Sequence, residues 1–131
     1  MNFENKPSTD NKYVLDWIEE CAALTNPDRI VWIDGSKEQI EALRAEGCRT
    51  GEMIKLNQVL LPNCYLHRTA VNDVARVEAR TFICTRKKED AGNINNWIEP
   101  EECYARLKKL YKNSMNGKTM YVIPYAMGQL G

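Results

Sequence analysis

A strand, a turn and a capped helix follow one another early in the chain, and this order constrains the fold more than any other feature. Residues 29–33, Arg-Ile-Val-Trp-Ile, are rich in β-branched and aromatic side chains, which is typical of a strand. After a turn at residues 34–36, Ser36 and Gln39 form a capping box, because each side chain can satisfy a free amide of the first helical turn. Gly47 then suits the end of the helix. A unit of this kind predicts a mixed α/β domain.

Apolar periodicity and turn residues predict the remaining elements. An amphipathic helix begins at Tyr13 and ends before the Asn-Pro-Asp turn of residues 26–28. A later helix begins at Pro100, where the missing N–H does no harm. Its apolar residues recur at helical spacing and are predicted to form a buried stripe: Tyr104, Leu107, Leu110 and Tyr111. Further strands are predicted at residues 64–67, 81–85 and 118–124. The expected fold is a small mixed sheet flanked by helices.

The length predicts one domain preceded by a leader. A chain of 131 residues fits a single core, and its 44% hydrophobic and 27% charged residues are ordinary for a globular protein. Residues 1–12 are polar and contain Pro7, so we expect a flexible leader there and a domain at 13–131. Residues 127–131 contain two glycines and no closing helix. We therefore expect a truncated domain.

Charge and hydropathy exclude several classes of protein. Eighteen basic residues balance eighteen acidic ones, so the chain lacks the basic footprint of a nucleic-acid-binding domain. No apolar run approaches the roughly 18–20 residues that span a bilayer, and the opening residues lack the apolar centre of a secretory signal. Neither nucleic acid nor membrane is an expected partner. A cytoplasmic location is expected.

The cysteine and histidine content predicts no metal cluster. The five cysteines form no Cys-x-x-Cys pair, and the chain has a single histidine, His67. Reduced, mostly structural thiols are therefore expected. His67 has no neighbouring nucleophile in the sequence, which favours a structural imidazole over a catalytic one.

The Gly117-Lys118-Thr119 motif matches only the end of a phosphate-binding P-loop. A true P-loop has a glycine five places before its second one and opens a helix, so that successive backbone amides turn toward the phosphates. That earlier position is Lys112 here, and residues 120–123 favour a strand. The motif is therefore interpreted as a turn into a strand.

Residues 73–80, Asp-Val-Ala-Arg-Val-Glu-Ala-Arg, project two guanidinium groups from a short segment. If the segment is extended, Arg76, Glu78 and Arg80 share one face; if it is helical, Arg76 lies four residues before Arg80. Guanidinium forks bind carboxylates and phosphates through paired hydrogen bonds, so the segment is a candidate site for an anionic substrate. The alternative is an ordinary solvated face with a weak Arg–Glu pair.

Several of these stretches, taken in order, resemble the amino-terminal domain of GTP-dependent phosphoenolpyruvate carboxykinases. The resemblance covers residues 28–131 and is carried by residues 33–36, 73–78 with 81–83, and 117–124 with 127–131. The chain departs from the family pattern at Ala79, where a serine is common. It also departs in residues 125–131, which read Tyr-Ala-Met-Gly-Gln-Leu-Gly where the family has Phe-Ser-Met-Gly-Pro-Leu-Gly.

The resemblance implies an enzyme of gluconeogenesis that converts oxaloacetate and GTP into phosphoenolpyruvate, GDP and carbon dioxide with Mn²⁺ and Mg²⁺. It implies that Arg76 lies on a mobile loop and binds the substrate carboxylate, with Glu78 as a companion. The family's nucleotide loop, metal ligands and lid would follow residue 131. Oxaloacetate or phosphoenolpyruvate and a missing carboxy-terminal domain are therefore the expected partners.

Two interpretations of this chain follow from the resemblance. The first is a fragment that binds no cofactor or metal, is inactive alone, and exposes an apolar patch through which it self-associates. The second is a stand-alone binding or interaction module that has kept the fold and lost catalysis. Such a module would be monomeric and polar on all sides.

Overall fold

The computed structural model describes residues 3–73 and 77–129, in which helices alternate with short strands. Three α-helices are present in these residues: α1 (Lys12–Thr25), α2 (Lys37–Thr50) and α3 (Pro100–Tyr111). The strands in the same residues are β1 (Arg29–Trp32), β2 (Ile54–Lys55), β3 (Tyr65–Leu66), β4 (Phe82–Ile83), β5 (Asn96–Trp97) and β6 (Thr119–Val122). The predicted mixed α/β class is confirmed.

The strands of the described residues pair into three two-stranded sheets, where the sequence predicts one small mixed sheet. β1 pairs with β6 in parallel, β4 pairs with β5 in parallel, and β2 pairs with β3 in an antiparallel hairpin. Most of these strands are two residues long, which leaves few ladder positions to join the pairs into a wider sheet.

The described residues fall into two compact units, where the length predicts one domain. One unit consists of residues 3–32 and 77–129, and the other of residues 33–73. The buried apolar side chains of the described residues all belong to the first unit: Ile18, Ile30, Trp32, Ala91 and Ile98. In β1, buried and half-buried residues alternate, as expected for a strand with one face on the core.

Residues 3–8 run along β1, although the sequence predicts a flexible leader. Phe3 forms a parallel bridge with Ile30, whose carbonyl accepts a hydrogen bond from the Glu4 N–H at 2.9 Å. The Asn5 side chain accepts from the Trp32 N–H at 2.9 Å and donates to the Trp32 carbonyl at 2.8 Å. The Asn5 amide therefore satisfies both backbone groups of Trp32, as a neighbouring strand would.

The first and third helices begin where the sequence predicts. α1 is capped by the Asn11 side chain, which accepts from the Tyr13 N–H at 3.0 Å, and it ends at Asn26 with a φ of 55°. Pro100 opens α3, and the Glu99 carboxylate accepts from the Glu102 N–H at 3.0 Å. These caps satisfy N–H groups that have no partner within their helix.

The start of α2 agrees with the prediction, but its end does not. The Ser36 hydroxyl accepts from the Gln39 N–H at 3.2 Å, whereas the Gln39 side chain accepts from the Asp34 N–H at 2.8 Å. Gly47 was the predicted end, yet the helix continues to Thr50 and is capped by Gly51 with a φ of 83°. A left-handed φ of this kind is what a helix-terminating glycine accommodates.

The predicted buried stripe of α3 is exposed. The exposed fractions of its four members are 66% for Tyr104, 41% for Leu107, 68% for Leu110 and 53% for Tyr111. Their helical spacing is correct, but only part of α3 lies beside α1, where Lys108 Nζ is 3.7 Å from a Glu20 carboxylate oxygen. Helical spacing predicts a shared face, and burial of that face requires a partner element.

Candidate functional site

Of the two residues predicted to bind a substrate, the structure describes Glu78, whereas Arg76 lies outside the described residues. Glu78 is the first residue of a short 3-10 helix, Glu78–Arg80, and its side chain is exposed. We refer to residues 77–81, which contain this turn, as the candidate segment.

Local hydrogen bonds shape the candidate segment. The Val77 carbonyl accepts from the Arg80 N–H at 3.0 Å and from the Thr81 hydroxyl at 2.9 Å. The Thr81 N–H donates to the Glu78 carbonyl at 3.1 Å. The hydroxyl of Thr81 thus closes the turn, and the backbone then enters β4.

Asn96 joins the candidate segment to β5. Its side-chain amide donates to the Glu78 carbonyl at 2.9 Å and to the Thr81 carbonyl at 3.2 Å. Because Asn96 also pairs with Phe82 in the β4–β5 ladder, one residue fixes both the turn and the strand that follows it. No sequence motif marks Asn96, and its position just before the apolar pair Trp97-Ile98 is the one local signal of a strand.

The β4–β5 pair has further contacts on its other side. The Trp97 indole N–H donates to the Thr85 carbonyl at 3.0 Å. The Arg106 guanidinium of α3 lies 5.8 Å from the centroid of the Phe82 ring, within the range of a cation–π interaction. The candidate segment is therefore attached to a strand pair that is itself held to α3.

The charged side chains of the candidate segment face solvent. Glu78 and Arg80 are both exposed, and no ion pair between residues that the structure describes involves either of them. On this anchored turn the exposed carboxylate is available to a cationic ligand, and the exposed guanidinium is available to an anionic ligand. The anchoring keeps their backbone positions fixed, which lowers the entropy lost on binding.

The other candidates from the sequence do not form a site in the described residues. Gly117, with a φ of 73°, ends a turn, and β6 follows it, so the Gly-Lys-Thr motif does not open a helix. The His67 side chain is exposed, and its Nδ1 lies 2.6 Å from the Glu52 carbonyl oxygen. Among residues 3–73 and 77–129, no cluster of three or more potential ligands from His, Cys, Asp and Glu could hold a metal ion. The helices described here include none with the length and apolar character needed to cross a membrane.

Comparison with known proteins confirms the resemblance seen in the sequence. The family model described as phosphoenolpyruvate carboxykinase N-terminal domain matches residues 16–131. A phosphoenolpyruvate carboxykinase [GTP] of Corynebacterium kroppenstedtii is 46% identical over 127 residues, which is 97% of this chain and 20% of that protein. The protein of the same name from Renibacterium salmoninarum is 48% identical over 122 residues, 93% of this chain and 20% of that protein. The one from Corynebacterium glutamicum strain R is 42% identical over 127 residues, 97% of this chain and 21% of that protein. The chain thus spans about a fifth of the length of these relatives.

Proposed function

The chain belongs to the family of phosphoenolpyruvate carboxykinase N-terminal domains, and we propose that it is the substrate-side part of a GTP-dependent phosphoenolpyruvate carboxykinase. The full-length parent would convert oxaloacetate and GTP into phosphoenolpyruvate, GDP and carbon dioxide, in the cytoplasm and as a step of gluconeogenesis. The observation that carries the proposal is the 46% identity to a protein of that name over 97% of this chain.

Arg76 is the residue proposed to bind the substrate carboxylate. A guanidinium can form two parallel hydrogen bonds with a carboxylate, which fixes the orientation of oxaloacetate while carbon dioxide leaves. The same positive charge would stabilise the negative charge that develops on the enolate. Arg76 directly precedes the candidate segment in the sequence, and the two hydrogen bonds of Asn96 anchor that segment, which supports a defined binding site in this stretch of the chain.

Glu78 is proposed as a companion of Arg76 in substrate binding. Its side chain is exposed, whereas its carbonyl is held by Asn96 at 2.9 Å. The carboxylate would attract the guanidinium and limit its rotamers. In this way Glu78 would act on the position of Arg76 and not on the substrate directly.

The metal and nucleotide chemistry is assigned to the rest of the parent protein. A divalent cation held by the rest of the parent protein would supply Lewis-acid polarisation of the substrate and would compensate the phosphate charge, and phosphoryl transfer without it would lose most of that compensation. The proposed cations are Mn²⁺ and Mg²⁺, with GTP as the co-substrate. We therefore expect the isolated chain to bind none of the three and to form no phosphoenolpyruvate.

The exposed apolar face of α1 and α3 is proposed as the surface that the rest of the parent protein covers. Trp17, Tyr104, Leu107 and Tyr111 line a groove of about 720 Å³ between the two helices. Trp17 is 64% exposed and Tyr104 is 66% exposed, which is unusual for aromatic side chains in a monomer. The chain alone is expected to self-associate through this groove.

Replacement of Arg76 by lysine in the full-length parent tests the proposed binding role. Lysine keeps the charge but lacks the planar fork. We therefore expect kcat/KM for oxaloacetate to fall about tenfold or more, which corresponds to the loss of one hydrogen bond to a charged group. Arg86→Lys, the same change at an exposed arginine outside the candidate segment, should leave kcat/KM within about threefold of wild type. Unchanged kinetics for Arg76→Lys would remove this residue from the site.

Two further experiments test the proposal at the level of the chain. Reading the gene past codon 131 should show the coding sequence of the remaining domain, and a stop codon there would refute the proposed parent.

Sedimentation velocity of the isolated chain should show concentration-dependent association that Tyr104→Glu abolishes. Val59→Glu is the control, because Val59 is 89% exposed and lies away from the groove residues in the sequence. A chain that stays monomeric at all concentrations contradicts the proposed docking surface.

A further inference from the structure

Two cysteines lie where β4 ends and α3 begins. Cys84 directly follows β4 and is exposed, and Cys103 lies in the first turns of α3 and is half-buried. Both are free thiols. The two cysteines are far apart in the sequence and form no recognisable motif together.

Backbone hydrogen bonds explain why these two residues are close in space. The Ile98 N–H donates to the Ile83 carbonyl at 3.4 Å, which brings the chain that precedes α3 beside the end of β4. The Cys103 N–H donates to the Glu99 carbonyl at 2.9 Å, so Cys103 lies one helical turn beyond that point.

The two side chains also share a small apolar cavity. Cys84 and Cys103 line a space of about 240 Å³ together with Pro100, Tyr104 and Leu107. Both cysteines therefore border one space that is open enough for a small reagent to enter. Solvent also reaches the Cys84 side chain directly.

We propose that Cys84 and Cys103 form a dithiol modification site that closes into an intrachain disulfide when the protein meets a peroxide. In the first step one thiolate attacks an oxygen of the peroxide, the O–O bond breaks, and a sulfenic acid and water form after proton transfer. In the second step the other thiol attacks the sulfenic sulfur, the S–S bond forms, and the oxygen leaves as a second water. Two thiols are oxidised and one hydrogen peroxide is reduced to two water molecules.

The two thiols also influence each other. A hydrogen bond with the Cys103 thiol, followed by smaller contributions from desolvation and from the charges of Cys103 and Glu99, raises the pKa of Cys84. Either sulfur can attack the peroxide, and the other then closes the disulfide.

Peptide mapping of the peroxide-treated 131-residue chain tests this proposal. Trypsin places the two cysteines in separate peptides, residues 81–86 and residues 89–106, so a disulfide joins two peptides that are otherwise apart. After brief treatment with hydrogen peroxide and alkylation of the remaining thiols, we expect this linked pair and an intact mass lower by two hydrogen atoms. Addition of a reducing agent should restore both peptides.

Matched serine variants identify the reacting pair. Cys84→Ser and Cys103→Ser should each abolish the linked peptides, whereas Cys64→Ser should retain them, because Cys64 is an exposed cysteine outside the pair. Linked peptides that join Cys84 to any cysteine other than Cys103 would overturn the assignment. So would oxidation that stops at sulfinic acid with no disulfide.

An arsenical probe gives a second readout that does not depend on oxidation. Phenylarsine oxide binds tightly only where two thiols can reach one arsenic atom. We expect one adduct per chain in wild type and in Cys64→Ser, and loss of that adduct in Cys84→Ser and Cys103→Ser. Equal labelling of all four proteins would show that the two sulfurs do not act together and would refute the proposal.

Discussion

Replacement of Gly51 by alanine should destabilise the end of α2. Gly51 has a φ of 83°, and nothing lies within 4 Å of a Cβ built on it, so the cost comes from backbone strain and not from a clash. An L-residue in the left-handed region costs about 1–2 kcal/mol. We expect the smaller value, about 1 kcal/mol, because the exposed end of a helix can relax.

Gly47 provides the matched comparison within the same helix. Alanine in a helix interior gains about 0.5–1 kcal/mol over glycine. A Cβ built at Gly47 would lie 2.7 Å from Met53 Cε, and moving that flexible tip off its rotamer costs about 0.5–1.5 kcal/mol. The two effects nearly cancel in Gly47→Ala. In a Met53→Ala background the contact is absent, so the same substitution should stabilise the helix by its full amount.

Amide hydrogen exchange of α2 measures both effects. A loss of about 1 kcal/mol in Gly51→Ala corresponds to exchange about fivefold faster in the last turn of the helix. The amides of α1, which belongs to the other compact unit, serve as the internal control. If exchange in α2 is unchanged in Gly51→Ala but faster in Gly47→Ala, the helix ends at Gly47 and the reasoning is wrong.

The remaining predictions concern a charged turn and the anchor of the candidate segment. Hydrogen bonds from the backbone N–H and the side chain of Ser36 lower the pKa of Asp34. The Asp34 carboxylate therefore stabilises the turn fully above the ordinary aspartate pKa of about 3.9. This stabilisation is lost as the pH falls through the lower pKa of the folded state. NMR titration of the Asp34 carboxyl should give a pKa below the ordinary value, and a value at or above it contradicts this prediction. In Asp34→Asn the stability of the turn should no longer depend on pH in this range. Asn96→Ala deletes the donor to two carbonyls of the candidate segment and should speed exchange of the Thr81 amide about fivefold, as expected for about 1 kcal/mol. Asn93→Ala is the control, and equal rates in the two variants would show that Asn96 is not the anchor.

Features that depend on neighbouring residues were predictable from the sequence. Ser36 caps α2 because its partner amide lies three residues away, and Pro100 opens α3 because proline needs no partner there. The strand at residues 29–32 likewise follows from the residue types that form it. The end of α2 was not predictable in this way, since both Gly47 and Gly51 suit a helix end and no local pattern selects between them.

Features that depend on distant residues could not be predicted from local patterns. The bond from Asn96 to Glu78 exists because β4 and β5 pair, and nothing in either stretch specifies that pairing. The apolar stripe of α3 shows the same limit, because periodicity defines the face but not what covers it. The resemblance identified the family from three separated stretches, and it indicated Arg76 through a motif and not through a contact.

The segment at residues 3–5 shields β1 from unwanted association. β6 occupies one edge of this strand, while the Phe3 bridge and the paired hydrogen bonds of Asn5 occupy the other. An open edge with free N–H and carbonyl groups is a template on which other chains add strands and aggregate. Removal of the first eight residues should therefore lower the solubility of the chain before it disrupts the fold. A purification tag is better placed where it leaves this edge of β1 paired.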